Sequence, residues 1–414
     1  MHNGPFDALP PSPFDRLRGL LDAIEPPCAP LSLALGEPQH APPAFATAAL
    51  ADAAPSDYGR YPPIGGTPDW QGAAGGWLQR RFALDADFLS GAQQILPLAG
   101  TREGLFLAAQ LAPQKADGLM AMPNPFYQVY ASAAVAAGAT PLYLDAPAES
   151  GFLPDLDALQ PDELARLRAL YLCSPANPQG AIADAAYLEK AYRLAKQYDF
   201  LILVDECYSE IYDTAGAPPP SMLQTMQAAR DANAPILVFH SLSKRSNLAG
   251  LRSGLVTGGR DVMQAFYRLR MVAGPQTSLP ALAAAALAWQ DDAHVEDNRT
   301  AYRAKLDLAE GLFGTRFGFY RPPGGFFLWL NVGDGAVACE ALWRHAGLRV
   351  LPGAYLTQET RNGNIGAPYI RVALVAPAAQ LEDGLARMIA CLDAHGFEPS
   401  DRAGAFAATT RRPA

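Results

Sequence analysis

Residues 200–208 read FLILVDECY, and residues 235–245 read PILVFHSLSKR. Each is a continuous apolar run that ends abruptly in polar side chains, the pattern of a strand buried on both faces of a mostly parallel sheet. The first run delivers Asp205 and Glu206 to a carboxyl end, with Tyr208 just beyond. The second delivers Ser241, Ser243 and Lys244 within one turn of each other. Ligands of such sheets sit at the carboxyl ends of the strands, so the two runs together mark one candidate site.

The same rhythm extends outward. From about residue 93 short apolar runs (QQILPLA, GLMAM, TPLYL, RALYLCS, SGLVTG) alternate with helical segments such as TREGLFLAAQLA, FYQVYASAAVAAG and ADAAYLEKAYRLAKQY, which predicts βα units. Beyond about Asp291 a helical stretch leads to GGFFLWL, GLRVLP and PYIRVAL, the elements of a smaller α+β unit. The reading is a large α/β domain over 46–292, with an N-terminal arm (1–45) and a segment 293–414 forming the small domain. Prolines at 10, 11, 13, 26, 27 and 30 interrupt any long helix in the arm.

Composition narrows the function classes. With half its 414 residues apolar and 18% charged, the chain reads as globular. A formal charge of −9 argues against a sequence-independent grip on nucleic acid, which needs clustered cations. Five cysteines without a CxxC pair suggest neither a disulfide framework nor a zinc or other metal site, and a reducing cytoplasm fits. The longest apolar stretch, Ala281–Trp289, is about half of a membrane span.

Single residues stay ambiguous. Asp205 could hold a cationic ring nitrogen or cap a helix. The hydroxyls and amine of 241–244 suit a phosphate beside a reactive lysine, or form a solvated basic loop. Lysine condenses with carbonyls once burial or nearby cations lower its pKa, and Arg245 and Arg252 are the cations closest in sequence.

Several ordered motifs remove much of that ambiguity. Ser241-Leu-Ser-Lys244 followed by Leu251-Arg-Ser-Gly254, Ser174-Pro-Ala-Asn177-Pro-Gln-Gly180, and Asp205-Glu-Cys-Tyr208 resemble the cofactor-lysine, asparagine and aspartate–tyrosine motifs of the fold-type I pyridoxal-phosphate aminotransferases. Gly36-Glu-Pro38, Tyr61 within the Tyr58–Gly66 stretch, Ala99-Gly-Thr101, Pro125-Phe-Tyr127 and Tyr369-Ile-Arg371 extend the resemblance over nearly the whole chain. Longer strings, among them Arg60–Gly66, Met122–Tyr127 and His240–Asn247, are most similar to the N-succinyldiaminopimelate aminotransferases of lysine biosynthesis.

The resemblance implies a role for each residue. Lys244 carries pyridoxal 5′-phosphate as a Schiff base and shuttles the substrate proton. Asp205 keeps the pyridine nitrogen protonated, and Asn177 and Tyr208 hydrogen-bond the phenolic oxygen. Ser241, Ser243, Arg252 and the backbone of Gly100 and Thr101 hold the phosphate, joined by Tyr61 from the second subunit of a homodimer. Tyr127 stacks on the ring, with Phe126 and Tyr130 as rivals. Arg371 pairs with the substrate α-carboxylate, with Gly36 and Asn177 alongside. The substrates are amino and oxo acids: glutamate with 2-oxoglutarate, and N-succinyl-2-amino-6-oxopimelate. A second carboxylate needs another anion-binding group, and Arg102, Arg245, Gln39 and His40 are the possible sources. The alternatives are another 2-oxo-acid aminotransferase (aromatic, alanine-type or dicarboxylic), a carbon–sulfur lyase with the same cofactor motifs, and a non-catalytic regulator.

Overall fold

The computed structural model of the chain describes residues 4–89 and 93–400. Its strands, in chain order, are β1 (Leu31–Ser32), β2 (Ile95–Leu98), β3 (Leu119–Asn124), β4 (Thr140–Asp145), β5 (Leu167–Cys173) and β6 (Leu201–Asp205). They continue with β7 (Ile236–Ser241), β8 (Gly254–Gly258), β9 (Phe327–Asn331), β10 (Leu348–Arg349), β11 (Leu351–Pro352) and β12 (Tyr369–Ala373). Seven of them make the central sheet in the order β2-β8-β7-β6-β5-β3-β4. Neighbours from β7 through β4 are parallel, and β8 alone runs against both of its partners.

The continuous apolar runs have a simple cause. Successive strand residues point to opposite faces, and here both faces are covered. Ile202, Val204, Ile236 and Val238 enter a core with Trp70, Trp77, Phe82 and Trp289. Leu201, Leu203, Leu237 and Phe239 enter another core with Leu105, Tyr130, Tyr171 and Phe266. The expected mostly parallel sheet flanked by helices is therefore present. The apolar stretch around Ala281–Trp289 lies in the helix Leu279–Gln290, which is buried along most of its length against the helices Pro68–Phe82 and Ala44–Ala51. Among the described residues no helix is long and apolar enough to cross a membrane.

A second, smaller sheet (β11-β12-β9) builds its core from Leu328, Leu330, Ile370 and Val372 with Leu342, Leu385 and Met388. The helix Ala293–Phe313, about 30 Å long at the usual rise, connects the two bodies. Arg299 near its start bonds Glu210 beside the large sheet, while Leu306 and Phe313 near its end enter the small core. The N-terminal segment joins this second body, because β1 pairs with β10 in parallel register and Leu33 O accepts from Ala373 N.

The arm departs from a purely proline-broken reading. Pro13 opens a nine-residue helix, Pro13–Leu21, with the Ser12 side chain as its N-cap. Proline is tolerated there because the first helical N–H has no partner to lose. Leu17 and Leu21 anchor this helix on Trp343, Leu351 and Leu356.

Candidate active site

The carboxyl ends of β5, β6 and β7 lie side by side, with Cys173 in register with Asp205 and Asp205 with Phe239. β7 ends at Ser241, whose Oγ accepts from Ser243 N at 3.1 Å and caps the short helix Leu242–Arg245. That cap turns Lys244 into a cavity of about 370 Å³. The cavity is lined by Gly36, Thr101, Tyr127, Asn177, Asp205, Tyr208, Ser241, Ser243, Lys244, Arg252 and Arg371. The sequence-predicted residues are thus gathered in one place, with two outside it. Gly100 sits behind the wall, and Tyr61 is 97% exposed, away from the cavity of its own chain.

One end of the cavity is built for an anion. The helix Thr101–Ala108 starts there after Gly100, whose φ of +87° suits glycine. A Cβ on Gly100 would collide with the Arg252 guanidinium. Arg252 donates to Ala249 O at 2.9 Å and Ala99 O at 3.4 Å, which fixes its fork beside the free N–H groups of the helix start. Ser241 and Ser243 add hydroxyls, and Thr101 Oγ1 lies 3.1 Å from Cys207 Sγ.

Asp205 is buried on the cavity floor. Its Oδ2 accepts from Tyr130 Oη at 2.8 Å and its Oδ1 from Cys207 N at 3.2 Å. Burial raises its pKa, opposed by the Cys207 and Tyr130 hydrogen bonds and the nearby Lys244. Tyr130, a rival for the stacking role on sequence grounds, is corrected here: it stacks instead on Tyr171 and meets Tyr127 edge-on. The signal that could have found its role is helical spacing, since i and i+3 share a face; with Tyr127 at the mouth, Tyr130 faces the floor. Tyr127 itself accepts a 2.6 Å hydrogen bond from Arg102 Nε.

Lys244 Nζ donates to the carbonyl of Gly36. Burial lowers its pKa to about 8, with the Arg371 cation acting in the same direction and Cys207, Glu37 and Asp205 opposing. The expectation that Arg245 contributes is corrected too. Arg245 turns away from the cavity, lies over the packed rings of Trp77 and Trp289 and bonds Ala288 O and Asp292. A four-residue helix turns its side chains by about 100° per residue, so neighbours in sequence face different ways.

Arg371 projects from β12 and is 4% exposed. It donates to Asn177 Oδ1 at 3.1 Å and Ala34 O at 2.7 Å and lies over the Phe327 ring. Its Nε is buried without a partner. Burial lowers its pKa to about 10, still far above neutrality, so the guanidinium is a cation held by neutral acceptors and open to a carboxylate. Of the four side chains considered for a second carboxylate, only Arg102 lines the cavity. His40 is engaged with Asn298 and Lys305.

A lysine amine, a buried carboxylate and an anion-binding helix start converging at the strand ends of a seven-stranded sheet define a fold-type I pyridoxal-phosphate transferase, and the donor set fits that cofactor. The chain belongs to the aminotransferase class I and II family, whose model matches residues 30–387; these enzymes depend on pyridoxal 5′-phosphate. It is 32% identical to the 4-dedimethylamino-4-oxo-anhydrotetracycline transaminase OxyQ of Streptomyces rimosus, over 92% of this chain and 99% of that one. It is 31% identical to an LL-diaminopimelate aminotransferase of Dehalococcoides mccartyi, over 86% and 90%. An aminotransferase structure from Neisseria meningitidis superposes with a TM-score of 0.87 at 35% identity, over 94% of this chain and 99% of that one.

Proposed function

We propose that this aminotransferase exchanges an amino group between glutamate and a diaminopimelate-skeleton acceptor, with N-succinyl-2-amino-6-oxopimelate as the oxo acid. The observation that carries the reading is Arg371: a buried cation with no carboxylate partner among the described residues, lining the same cavity as Lys244. Phe14, Leu35 and Leu356 line that cavity too, and such apolar groups suit the methylenes between the two ends of a pimelate. The longer sequence strings favour the N-succinyl form. The diaminopimelate aminotransferases among the relatives support the skeleton and favour a second reading, the unacylated substrate.

Each residue then has a physical task. Bound pyridoxal 5′-phosphate supplies an electron-withdrawing ring. Lys244 would hold the cofactor through its amine and, when free, would take the proton from the substrate Cα, a role its lowered pKa suits. Asp205 would hold a proton on the ring nitrogen, and Asn177 and Tyr208 would donate to the phenolic oxygen. Ser241, Ser243, Arg252 and the N–H groups of Gly100 and Thr101 bind the phosphate, and Tyr127 covers the ring. Arg371 forks onto the α-carboxylate, oriented by Asn177, beside the Gly36 backbone. Tyr61 reaches the phosphate of a partner subunit, which makes the working unit a homodimer. Residues 46–292 form the cofactor domain, and 1–45 with 293–414 the arm and small domain, with 401–414 outside the described residues. Five free cysteines suit a cytoplasmic enzyme.

The test is the absorbance of the holoenzyme before and after glutamate, then after each acceptor. Return of the starting band with N-succinyl-2-amino-6-oxopimelate supports the first reading. Amino transfer from LL-diaminopimelate to 2-oxoglutarate, with no response to the succinylated compound, replaces it with the second. Response to neither retains the family and removes the skeleton. Pyruvate release from cystathionine without an oxo acid points to the lyase.

A further inference from the structure

Behind the cavity floor, Glu206 meets His240. Each is one residue from the site, since Glu206 follows Asp205 and His240 precedes Ser241. Both are 1% exposed. Glu206 Oε1 accepts from Met222 N at 2.9 Å. Its Oε2 lies 3.4 Å from His240 Nε2, and among the described residues both atoms are buried without a formed hydrogen bond. The imidazole is enclosed by Trp77 edge-on and Phe82 face-on, with Nδ1 3.5 Å from Ser209 Oγ.

The charged groups packed around the pair are committed elsewhere. Arg81 bonds Glu210, Ser209 O and Pro219 O. Arg299 also bonds Glu210, Arg245 bonds Asp292, and Asp205 is held by Tyr130. A carboxylate on Glu206 would have the Met222 N–H, the Ser221 hydroxyl and the more distant charge of Arg81 in its favour but no dedicated cation, and burial disfavours a charge so placed.

We propose that Glu206 and His240 form an uncharged positioning pair, in which the Glu206 carboxyl hydrogen is donated to His240 Nε2 and clamps the ends of β6 and β7. The clamp sets the spacing between Asp205 and the Ser241–Lys244 turn; the inference rests on the reading that these residues hold the cofactor. Burial supports it from both sides, pushing Glu206 up to about 8 and His240 down to about 3. Each shift favours the neutral form. The imidazole also has the Ser209 hydroxyl 3.5 Å from Nδ1 and the Glu206 backbone carbonyl as an acceptor.

Glu206→Gln separates the neutral pair from a charged one, because its amide N–H replaces the carboxyl hydrogen while its carbonyl still accepts from Met222 N. Glu206→Ala and His240→Phe remove the bond, the latter keeping an aromatic ring in the slot. Two quantities are measured on purified protein: the dissociation constant of pyridoxal 5′-phosphate from the apo chain, and the pH midpoint of the absorbance of the lysine-bound cofactor. Thermal unfolding of each apo variant controls for a general loss of stability. With Glu206→Gln, both quantities stay within about twofold of the parent. With Glu206→Ala and His240→Phe, affinity falls about tenfold, the scale of one lost buried hydrogen bond, and the pH midpoint moves.

The proposal is overturned if Glu206→Ala and His240→Phe leave both quantities unchanged, or if Glu206→Gln is as damaging as Glu206→Ala. Should Glu206→Ala fail to fold, Glu206→Gln against His240→Phe decides by the same criteria. A Lys244→Ala control that keeps the absorbance band would instead refute the cofactor-lysine assignment.

Discussion

Tyr130 donates its phenolic hydrogen to Asp205 across 2.8 Å inside a fully buried floor. The bond favours the ionised form of Asp205, opposing the burial that raises its carboxyl pKa. Tyr130→Phe therefore leaves Asp205 a weaker partner for a protonated ring nitrogen. Turnover is expected to fall about tenfold, equivalent to about 1.4 kcal/mol, while KM for glutamate changes little. Steady-state kinetics decide it, and unchanged turnover refutes it.

Arg371 serves Asn177 and Ala34 with one planar fork, and in the proposed role the same fork takes the substrate carboxylate. Arg371→Lys keeps the charge but not the geometry. KM for glutamate is expected to rise about 100-fold, within the 2–5 kcal/mol typical of breaking a buried charged hydrogen bond. A KM within threefold of the parent would remove Arg371 as the carboxylate anchor.

Lys244 must lose its proton before it can attack a carbonyl. With its pKa near 8, capture of pyridoxal 5′-phosphate by the apo chain should quicken about tenfold per pH unit below 8 and level off above. A lysine at its ordinary value near 10.4 would keep rising to pH 10. The sign for stability agrees: between those values the unfolded chain binds more protons, so Lys244 contributes increasing stability as pH rises through that window. Stopped-flow absorbance reads the first effect, and a plateau only above pH 10 contradicts it.

Tyr61 is almost fully exposed and Tyr58 is 68% exposed, a costly display unless a partner covers them. Mixing Lys244→Ala subunits with Tyr61→Ala subunits should then regain activity, because a hybrid dimer holds one site with both residues intact. No regain after mixing under conditions of proven subunit exchange would place Tyr61 outside the site.

Much of this site is legible in the amino-acid sequence alone, for a reason visible in β6 and β7. A strand buried on both faces is mostly apolar, so its end is written into the sequence, and its closing side chains, Asp205 and Ser241, fall at the ligand edge. What stays illegible is direction within a turn. Lys244 and Arg245 are adjacent, yet one enters the cavity and the other lies over the packed Trp77 and Trp289 rings, and only tertiary packing chooses between them. Tyr130 is obscured by its company, since Phe126, Tyr127 and Tyr130 are three aromatics near one helix start, of which one reaches Asp205. The Pro13 helix is hidden because proline reads as an interrupter unless the Ser cap beside it is weighed too.

The carbonyls of Ala34 and Gly36 complete the site from the front of the chain, and Arg371, which takes Ala34 O, follows 337 residues later. At about 5–20 residues per second on a ribosome, the earlier partner waits on the order of half a minute for the later one. During that wait the cradle around Lys244 is already synthesised, while β1 has no β10 to pair with. A chain arrested before Leu348 therefore carries Lys244 without Arg371, and protease sensitivity of such arrested chains around Leu31 would register the delay. Birth order leaves the discriminating end of this enzyme to be finished last.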